Sequence, residues 1–294
     1  MEQKKIAFKG ALFALLGGIC WGLSGSMGQY MFQHEGMDSR WLVPIRLGFA
    51  GIILFVYCLI RYGKLVFKPW KTHEDRRDLF LYGIAGVSCC QFTYFLTIQL
   101  SSAGVATILQ DLSPILILGV SCIAAKRLPV KREAASIILA LAGVFLISTH
   151  GNMEQMSVPP KALLAGCICA FCVMIYNVVP GRLLKHYPVE ILQAWAFLGG
   201  GLMLALVFRP WEWHYVPTPM GWIGIAFVVL VGNVLAFNLY GSGVKLAGPE
   251  RAILYGFSEP VTAALISALF LGSSFSLWDA VGFLLIFIMM ILIR

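Results

Sequence analysis

Charge is scarce in this chain. Only 12% of its 294 residues are Asp, Glu, Lys or Arg, against about a quarter in soluble domains, while 59% are hydrophobic. A soluble protein of this length could bury a large core, but it could not hide so many consecutive apolar turns, and a water-soluble fold is excluded. Several chemistries lack their residues too. The histidines, His34, His73, His150, His186 and His214, lie in loops or at the ends of apolar stretches and form no HxxxH pair, so a zinc protease lacks its ligands. No paired-aspartate cluster is present to hold magnesium and a prenyl diphosphate, and no GxxxxGK(S/T) loop is present to drive work by ATP. No cofactor or metal is expected, and no nucleophile–base constellation marks an enzyme. The eight cysteines all lie within apolar stretches, where a free thiol behaves as a small hydrophobe.

The same chain has one pattern in abundance, and it is written twice. About ten stretches of roughly 16 to 23 apolar residues run from Phe8 to Ile293, and a bilayer core of ~30 Å needs about 20 helical residues. The spans read as 10–30, 41–60, 79–98, 104–125, 134–149, 162–180, 190–208, 221–240, 251–271 and 277–293. Laid on the first half without gaps, the second half puts Glu259-Pro260 opposite Ser113-Pro114, Gly232 opposite Gly86 and Tyr240 opposite Tyr94. The expected fold class is an all-α integral membrane protein with ten transmembrane helices as a 5+5 inverted repeat. The first repeat covers 10–149, the polar stretch 150–161 is a linker, and the second repeat covers 162–293. Five spans per repeat make the halves insert in opposite senses. Inverted repeats of this kind build secondary transporters, with the substrate site between the halves near the midplane. Transport of a small-molecule substrate by alternating access is therefore expected.

The net charge of +8 reads as a nucleic-acid signal only if position is ignored. Arg40, Lys161 and Arg209 alone fall in the loops on one side; all other Lys and Arg except Arg46 fall on the side holding the N-terminus. By the positive-inside rule both termini are cytoplasmic in a multi-pass plasma-membrane protein, and the partners are membrane lipid and solute. Trp41, Trp211, Trp213, Trp222 and Trp278 fall at outer span edges, where an aromatic belt sits. The first span has the flanks of a signal peptide, but its apolar run continues and has a counterpart in span six, so it reads as a retained helix. The loop 61–78 reads as lying on the membrane surface. Gly18 and Gly22 make a small-xxx-small step for close helix packing.

Three charged residues fall within spans away from the span ends: Arg46, Asp111 and Glu259. Such groups cost about 2.5–3.5 kcal/mol each at a helix centre on insertion scales and are functional candidates by default. Asp111 is a candidate partner for Arg46, either as an ion pair holding two helices in register or as part of a ligand site. Glu259 lies deeper, with no basic residue at its depth, and is the candidate for substrate or proton contact. Both acids sit beside prolines, Pro114 and Pro260, which break the helical ladder and free backbone carbonyls. Thr107, Gln110, Asp111 and Pro114 form one helical stripe, and Tyr255, Glu259 and Thr262 another. A pocket holding both stripes suits an ammonium group or protons shared in a coupling cycle; a kinked polar helix interface is the alternative. Trp21, Gln91, Tyr94, Gln99, Tyr176, Asn177, Gln193, Asn233 and Asn238 are further polar or aromatic residues in spans, most of them read as helix bridges. Gly248-Pro249-Glu250-Arg251 reads as the start of span nine.

Trp21-Gly22, Arg46, the small-residue step before Pro114, Glu259-Pro260-Val261 and Ala263-Ala-Leu265, set in ten spans, resemble the drug/metabolite transporter superfamily, EamA type, over nearly the whole chain. The resemblance implies a central cavity lined by helices one to four and six to nine, with five and ten at the periphery. It also implies export of small metabolites, often amino acids. Members commonly carry a glutamate just after the fourth and ninth helices; here Arg127 and Ser273 stand there. The expectation is a secondary active transporter in a bacterial cytoplasmic membrane that exports amino acids or related zwitterionic solutes. In it Glu259 and Asp111 bind ammonium or relay protons as the coupling ion, Arg46 pairs with Asp111 or a carboxylate, and Trp21, Tyr94 and Tyr255 form the apolar wall. The alternatives are an exporter of lipophilic drugs or cations, a non-transporting membrane sensor and a lipid-acting enzyme.

Overall fold

The computed structural model describes residues 2–150, 157–247, 252, 255–273 and 276–292, which form helices, turns and no strand. A backbone in lipid must satisfy its polar groups internally, so each apolar stretch becomes a helix. Eight described helices are long and apolar enough to cross a membrane: α1 (Phe8–His34), α2 (Ser39–Trp70), α3 (His73–Leu100), α4 (Ala103–Ala124), α5 (Lys131–Thr149), α6 (Pro160–Gly181), α7 (Val189–Phe208) and α8 (Pro219–Ala247). Two shorter apolar helices follow, α9 (Ser258–Phe270) and α10 (Leu277–Leu292). The chain is an all-helical, ten-helix membrane protein.

The helices outrun the apolar stretches. α1 continues to His34 and α8 to Ala247. The loop 61–78 is mostly helical: Gly63, at φ +54°, closes the α-helical part of α2, a 3-10 run continues it over Gly63–Trp70, and α3 begins at His73. The Thr72 hydroxyl caps α3 by accepting from the Asp75 N–H at 3.3 Å. The Trp belt is also thinner than the sequence implies. Trp211, Trp222 and Trp278 are exposed, whereas Trp41 is buried edge-on against Tyr215 at 5.0 Å. The linker residues 151–156 and the start signal at 248–251 lie outside the described residues.

α2 packs against α7, α5 against α10, α1 against α8 and α9, and α3 against α6 and α7. Small residues permit the closest of these approaches. A Cβ on Gly22 would lie 2.6 Å from the Glu259 carbonyl oxygen, and one on Gly243 would lie 2.7 Å from the Ala14 nitrogen. Arg182, in the connection after α6, bonds Glu74, Asp75 and Asp78 of α3 at 3.0–3.1 Å. This places the α2–α3 and α6–α7 connections at one end of the bundle, the basic end.

Three helices are interrupted. α4 runs from Ala103 to Gln110, turns at Asp111 and Leu112, and resumes over Ser113–Ala124 with Pro114 in the new first turn. α3 and α8 each carry a π-helical segment, Leu81–Ser88 and Val228–Leu235. Such segments are rare and cluster at functional sites. Ahead of α9 the chain turns at Phe257, and Pro260 falls in the first turn of the helix.

Candidate functional site

A cavity of about 520 Å³ lies between the two halves of the chain, within the size range of small-molecule sites. Its floor is formed by Trp21, Arg46, Tyr94, Gln110, Asp111 and Glu259. From there it runs along α3, α6, α7 and α8 to Leu184, Val189, Glu190 and Val244 at the basic end. Among the described residues, none of its lining comes from the connections at the opposite end.

Arg46 is the most constrained group in this floor. It is 3% exposed, and its guanidinium lies 3.9 Å from the Phe95 ring centroid, a cation–π contact. One amino group, Nη2, donates to Asn233 Oδ1. Nε and Nη1 have no hydrogen-bond partner among the described residues. Asn233 sits in the π segment of α8, so the wide turn that interrupts that helix carries the residue that holds Arg46. The expected ion pair between Arg46 and Asp111 is not made: no ion pair among the described residues joins them. Asp111 is the residue on which α4 breaks, and it lines the same cavity as Arg46.

Glu259 faces the cavity from the first turn of α9, and Tyr94 Oη donates to its Oε1 at 3.4 Å. Tyr94 is itself 7% exposed and stacks edge-on with Phe95 at 5.6 Å. A path of contacts therefore joins Glu259, Tyr94, Phe95 and Arg46. The apolar wall is Trp21, held at 4.9 Å from both Phe237 and Tyr240. Gln110 and Asn177 also line the cavity. Asn177 spends its amide on the Val173 carbonyl at 2.8 Å, and Gln110 Oε1 lies 3.7 Å from Cys169 Sγ.

Not every expected residue reaches the site. Thr107 is fully buried, and its hydroxyl turns back to the Ala103 and Gly104 carbonyls at 3.1 and 2.9 Å. It serves its own helix, as threonines in apolar surroundings do. Tyr255 is 41% exposed and lies outside the lining, so Tyr240, not Tyr255, completes the aromatic wall. Pro260 is buried behind Glu259 and Pro114 lines the cavity.

The opposite end is bolted by a residue the sequence did not single out. Gln29 of α1 is 1% exposed. Its Oε1 accepts from the Ala103 N–H of α4 at 2.8 Å and the Ser267 hydroxyl of α9 at 2.9 Å, and its Nε2 donates to Ser273 Oγ at 2.9 Å. A signal was available: Gln29 stands four residues beyond Gly25 and eight beyond Trp21, on the cavity-facing stripe of α1. Beside this clasp, Gln99 Oε1 accepts from the Ser39 N–H at 2.8 Å. Ser273, which replaces the glutamate common in the resembled family, is therefore a clasp residue. Arg127, at the other such place, forms a bidentate pair with Glu133 at 2.7 and 2.8 Å.

Known proteins resemble this chain along most of its length. The model of the EamA-like transporter family matches it twice, over residues 8–149 and 160–294. A protein of Salmonella typhimurium named as the uncharacterized inner membrane transporter YicL is 35% identical over 97% of this chain and 95% of its own length. The uncharacterized inner membrane transporter YedA of Escherichia coli K12 is 24% identical over 93% and 86%, and the uncharacterized transporter YyaM of Bacillus subtilis 21% over 82% and 79%. A solved crystal structure superposes with a TM-score of 0.63 at 18% identity, covering 98% of this chain and 96% of the other, which shows a shared fold. A family match that spans both halves of a ten-helix membrane protein identifies it: the chain belongs to the EamA-like transporter family.

Proposed function

We propose that this protein is a secondary carrier for small zwitterionic solutes of the amino-acid type, exporting them from the cytoplasm across a bacterial inner membrane. The observation that carries the reading is the pairing of unlike charges across one cavity. Arg46 presents two buried N–H-bearing nitrogens with no partner, while the Asp111 and Glu259 carboxyls face the same space. A guanidinium fork matches a carboxylate in geometry, and the carboxyls match an ammonium. The aromatic wall of Trp21, Phe237 and Tyr240 accepts an amphipathic side chain. With both termini in the cytoplasm, the cavity opens inward and the Gln29 clasp closes the outward path. Two family-model matches, paired π segments offset by 147 residues (81 to 228), and symmetric packing of α1 on α8 and α3 on α6 support an inverted repeat working by alternating access. Glu259, hydrogen-bonded to Tyr94 and next to Asp111, is the proton-coupling group in this scheme.

The test is uptake and efflux of labelled amino acids in proteoliposomes with and without a pH gradient. Glu259→Gln should abolish the gradient dependence while the protein still purifies as a folded species; unchanged, equally gradient-dependent flux would remove the coupling role. One observation favours a second reading: two carboxyls beneath an aromatic wall also suit a lipophilic cation. Competition by lipophilic amines that persists in Arg46→Met would support that reading over the zwitterion.

A further inference from the structure

A second cavity lies on the outside of the bundle and serves no part of the mechanism above. It is a groove of about 670 Å³ between α2, α3 and α7, lined almost wholly by apolar atoms. It runs from Trp70 and Phe80 at the basic end to Pro44 and Pro210 at the other, so its length follows the membrane-crossing direction. Glycine makes the hollow. A Cβ on Gly48 of α2 or Gly199 of α7 would meet nothing within 4 Å, although the two helices touch at Gly201, whose Cβ would lie 2.6 Å from the Gly48 nitrogen. Two helices in backbone contact thus leave a slot beside the contact that side chains could fill and do not.

The basic end of the slot is built differently from its length. Trp70, 43% exposed, packs edge-on against Trp195 at 5.1 Å, and Trp195 Nε1 donates to the Val66 carbonyl at 2.8 Å. This fixes an aromatic collar where the 3-10 run Gly63–Trp70 meets α7. Arg76 stands one turn before Phe80 and two before Gly83, on the groove-lining face of α3. Its neighbours are committed: Arg77 pairs with Asp78 at 3.0 Å, and Arg182 with Glu74, Asp75 and Asp78. Arg76 is exposed and makes no ion pair among the described residues, and the exposed Lys71 follows Trp70 directly.

We propose that this groove is a binding site for an anionic phospholipid, with one acyl chain laid in the slot between α2 and α7 and the headgroup phosphate on Arg76 and Lys71 beside Trp70. An apolar slot alone would take any chain, and surface cations alone would take any anion. Charge complementarity at one end of a membrane-facing slot selects a lipid that has both parts. Basic residues at that depth also attract acidic headgroups.

The experiment uses the purified full-length protein in detergent, titrated with dioleoyl phosphatidylglycerol or dioleoyl phosphatidylcholine and read by thermal unfolding and native mass spectrometry. A ligand of the folded state raises apparent stability by mass action. Phosphatidylglycerol should raise the midpoint and be retained as one or two adducts, and phosphatidylcholine should do so at much higher concentration. Gly199→Leu, which fills open space, should abolish the shift, and Gly48→Leu is the second variant if that one fails to fold. Arg76→Gln and Lys71→Gln, at the headgroup end and outside the apolar lining, should each weaken phosphatidylglycerol about fivefold and leave phosphatidylcholine unchanged. Equal stabilisation by both lipids, or an undiminished phosphatidylglycerol shift in Gly199→Leu and Gly48→Leu, would overturn the site. So would a dimer that both leucine variants dissociate without loss of lipid, which would make the groove a contact between copies of the chain. Solute flux is measured in parallel and decides neither result.

Discussion

Replacing Arg46 by Met separates a structural role from a ligand role, because the two predict opposite signs. A guanidinium that held α2 to α4 through an ion pair would, on truncation, leave an uncompensated carboxylate and cost about 3–5 kcal/mol. Here the guanidinium is buried with one side-chain hydrogen bond, to Asn233, one aromatic contact and two partnerless nitrogens. Desolvation of an incompletely paired charge opposes folding, so Arg46→Met should leave the ligand-free midpoint unchanged or raise it. The cost should appear on binding. Two charge-assisted hydrogen bonds to a carboxylate at about 1.5 kcal/mol each amount to about 3 kcal/mol, roughly a hundredfold in Kd. The assay is thermal unfolding of the detergent-solubilised protein against an amino acid and against the amine that lacks its carboxylate. In the native protein the amino acid should stabilise at about a hundredfold lower concentration than the amine, and in Arg46→Met the two should coincide. A variant that loses several kcal/mol without ligand, yet keeps the preference for the amino acid, would refute the reasoning.

Three further outcomes are expected. Gly22→Ala puts a methyl group 2.6 Å from the Glu259 carbonyl oxygen and 2.7 Å from Thr262 Cβ; separating α1 from α9 should cost about 1–3 kcal/mol of stability, the range for overpacking, measured by denaturation, and lower flux. Gln29→Ala removes three hydrogen bonds at the closed end, worth roughly 1 kcal/mol each; labelling of Cys90, in a variant lacking the other cysteines, by an impermeant maleimide from the closed side should rise. Asp38, between α1 and α2, caps α2 and accepts from Arg40 and Gln99. Burial works to raise its carboxyl, but the hydrogen bonds from Arg40 and Gln99 outweigh burial and hold it below the usual carboxylate range. A depressed folded value gives stability that is present above the unfolded value of about 3.9 and lost as pH falls through the folded one. Asp38→Ala should therefore cost about 1 kcal/mol at neutral pH and flatten the decline in stability below about pH 4, checked by unfolding across that range.

The architecture was legible because lipid leaves the backbone few options: apolar length alone placed ten helices, and Pro114 marked the break in α4. The charges at the centre were legible as a set but not as partners. Arg46 and Asp111 looked matched by depth along their helices, yet depth says nothing about rotation, and the partner of Arg46 is Asn233, 187 residues away. Thr107 fell on the predicted stripe and still turned inward, because a hydroxyl in an apolar setting takes the carbonyl of its own helix when that is nearest. Gln29 carried a readable position but no charge, and an amide in a span does not announce how many helices it joins. The groove between α2 and α7 could not be read at all, since it consists of what Gly48 and Gly199 leave out.

The π segments in α3 and α8 make residue counting along these helices treacherous for anyone re-engineering the chain. An α turn and a π turn differ by one residue, and one residue is ~100° of rotation. Deleting a single amino acid within 81–88 is then absorbed where it falls, because the π turn tightens to an α turn and Gln91, Tyr94 and Phe95 keep their faces; the same deletion in the α-helical turn that follows would swing them off the cavity wall. The corresponding deletion within 228–235 would be taken up in the same way, leaving Phe237 and Tyr240 on the cavity wall but removing the wide turn that carries Asn233. Alignments that close such a gap as noise would shift the whole wall of the site by one face.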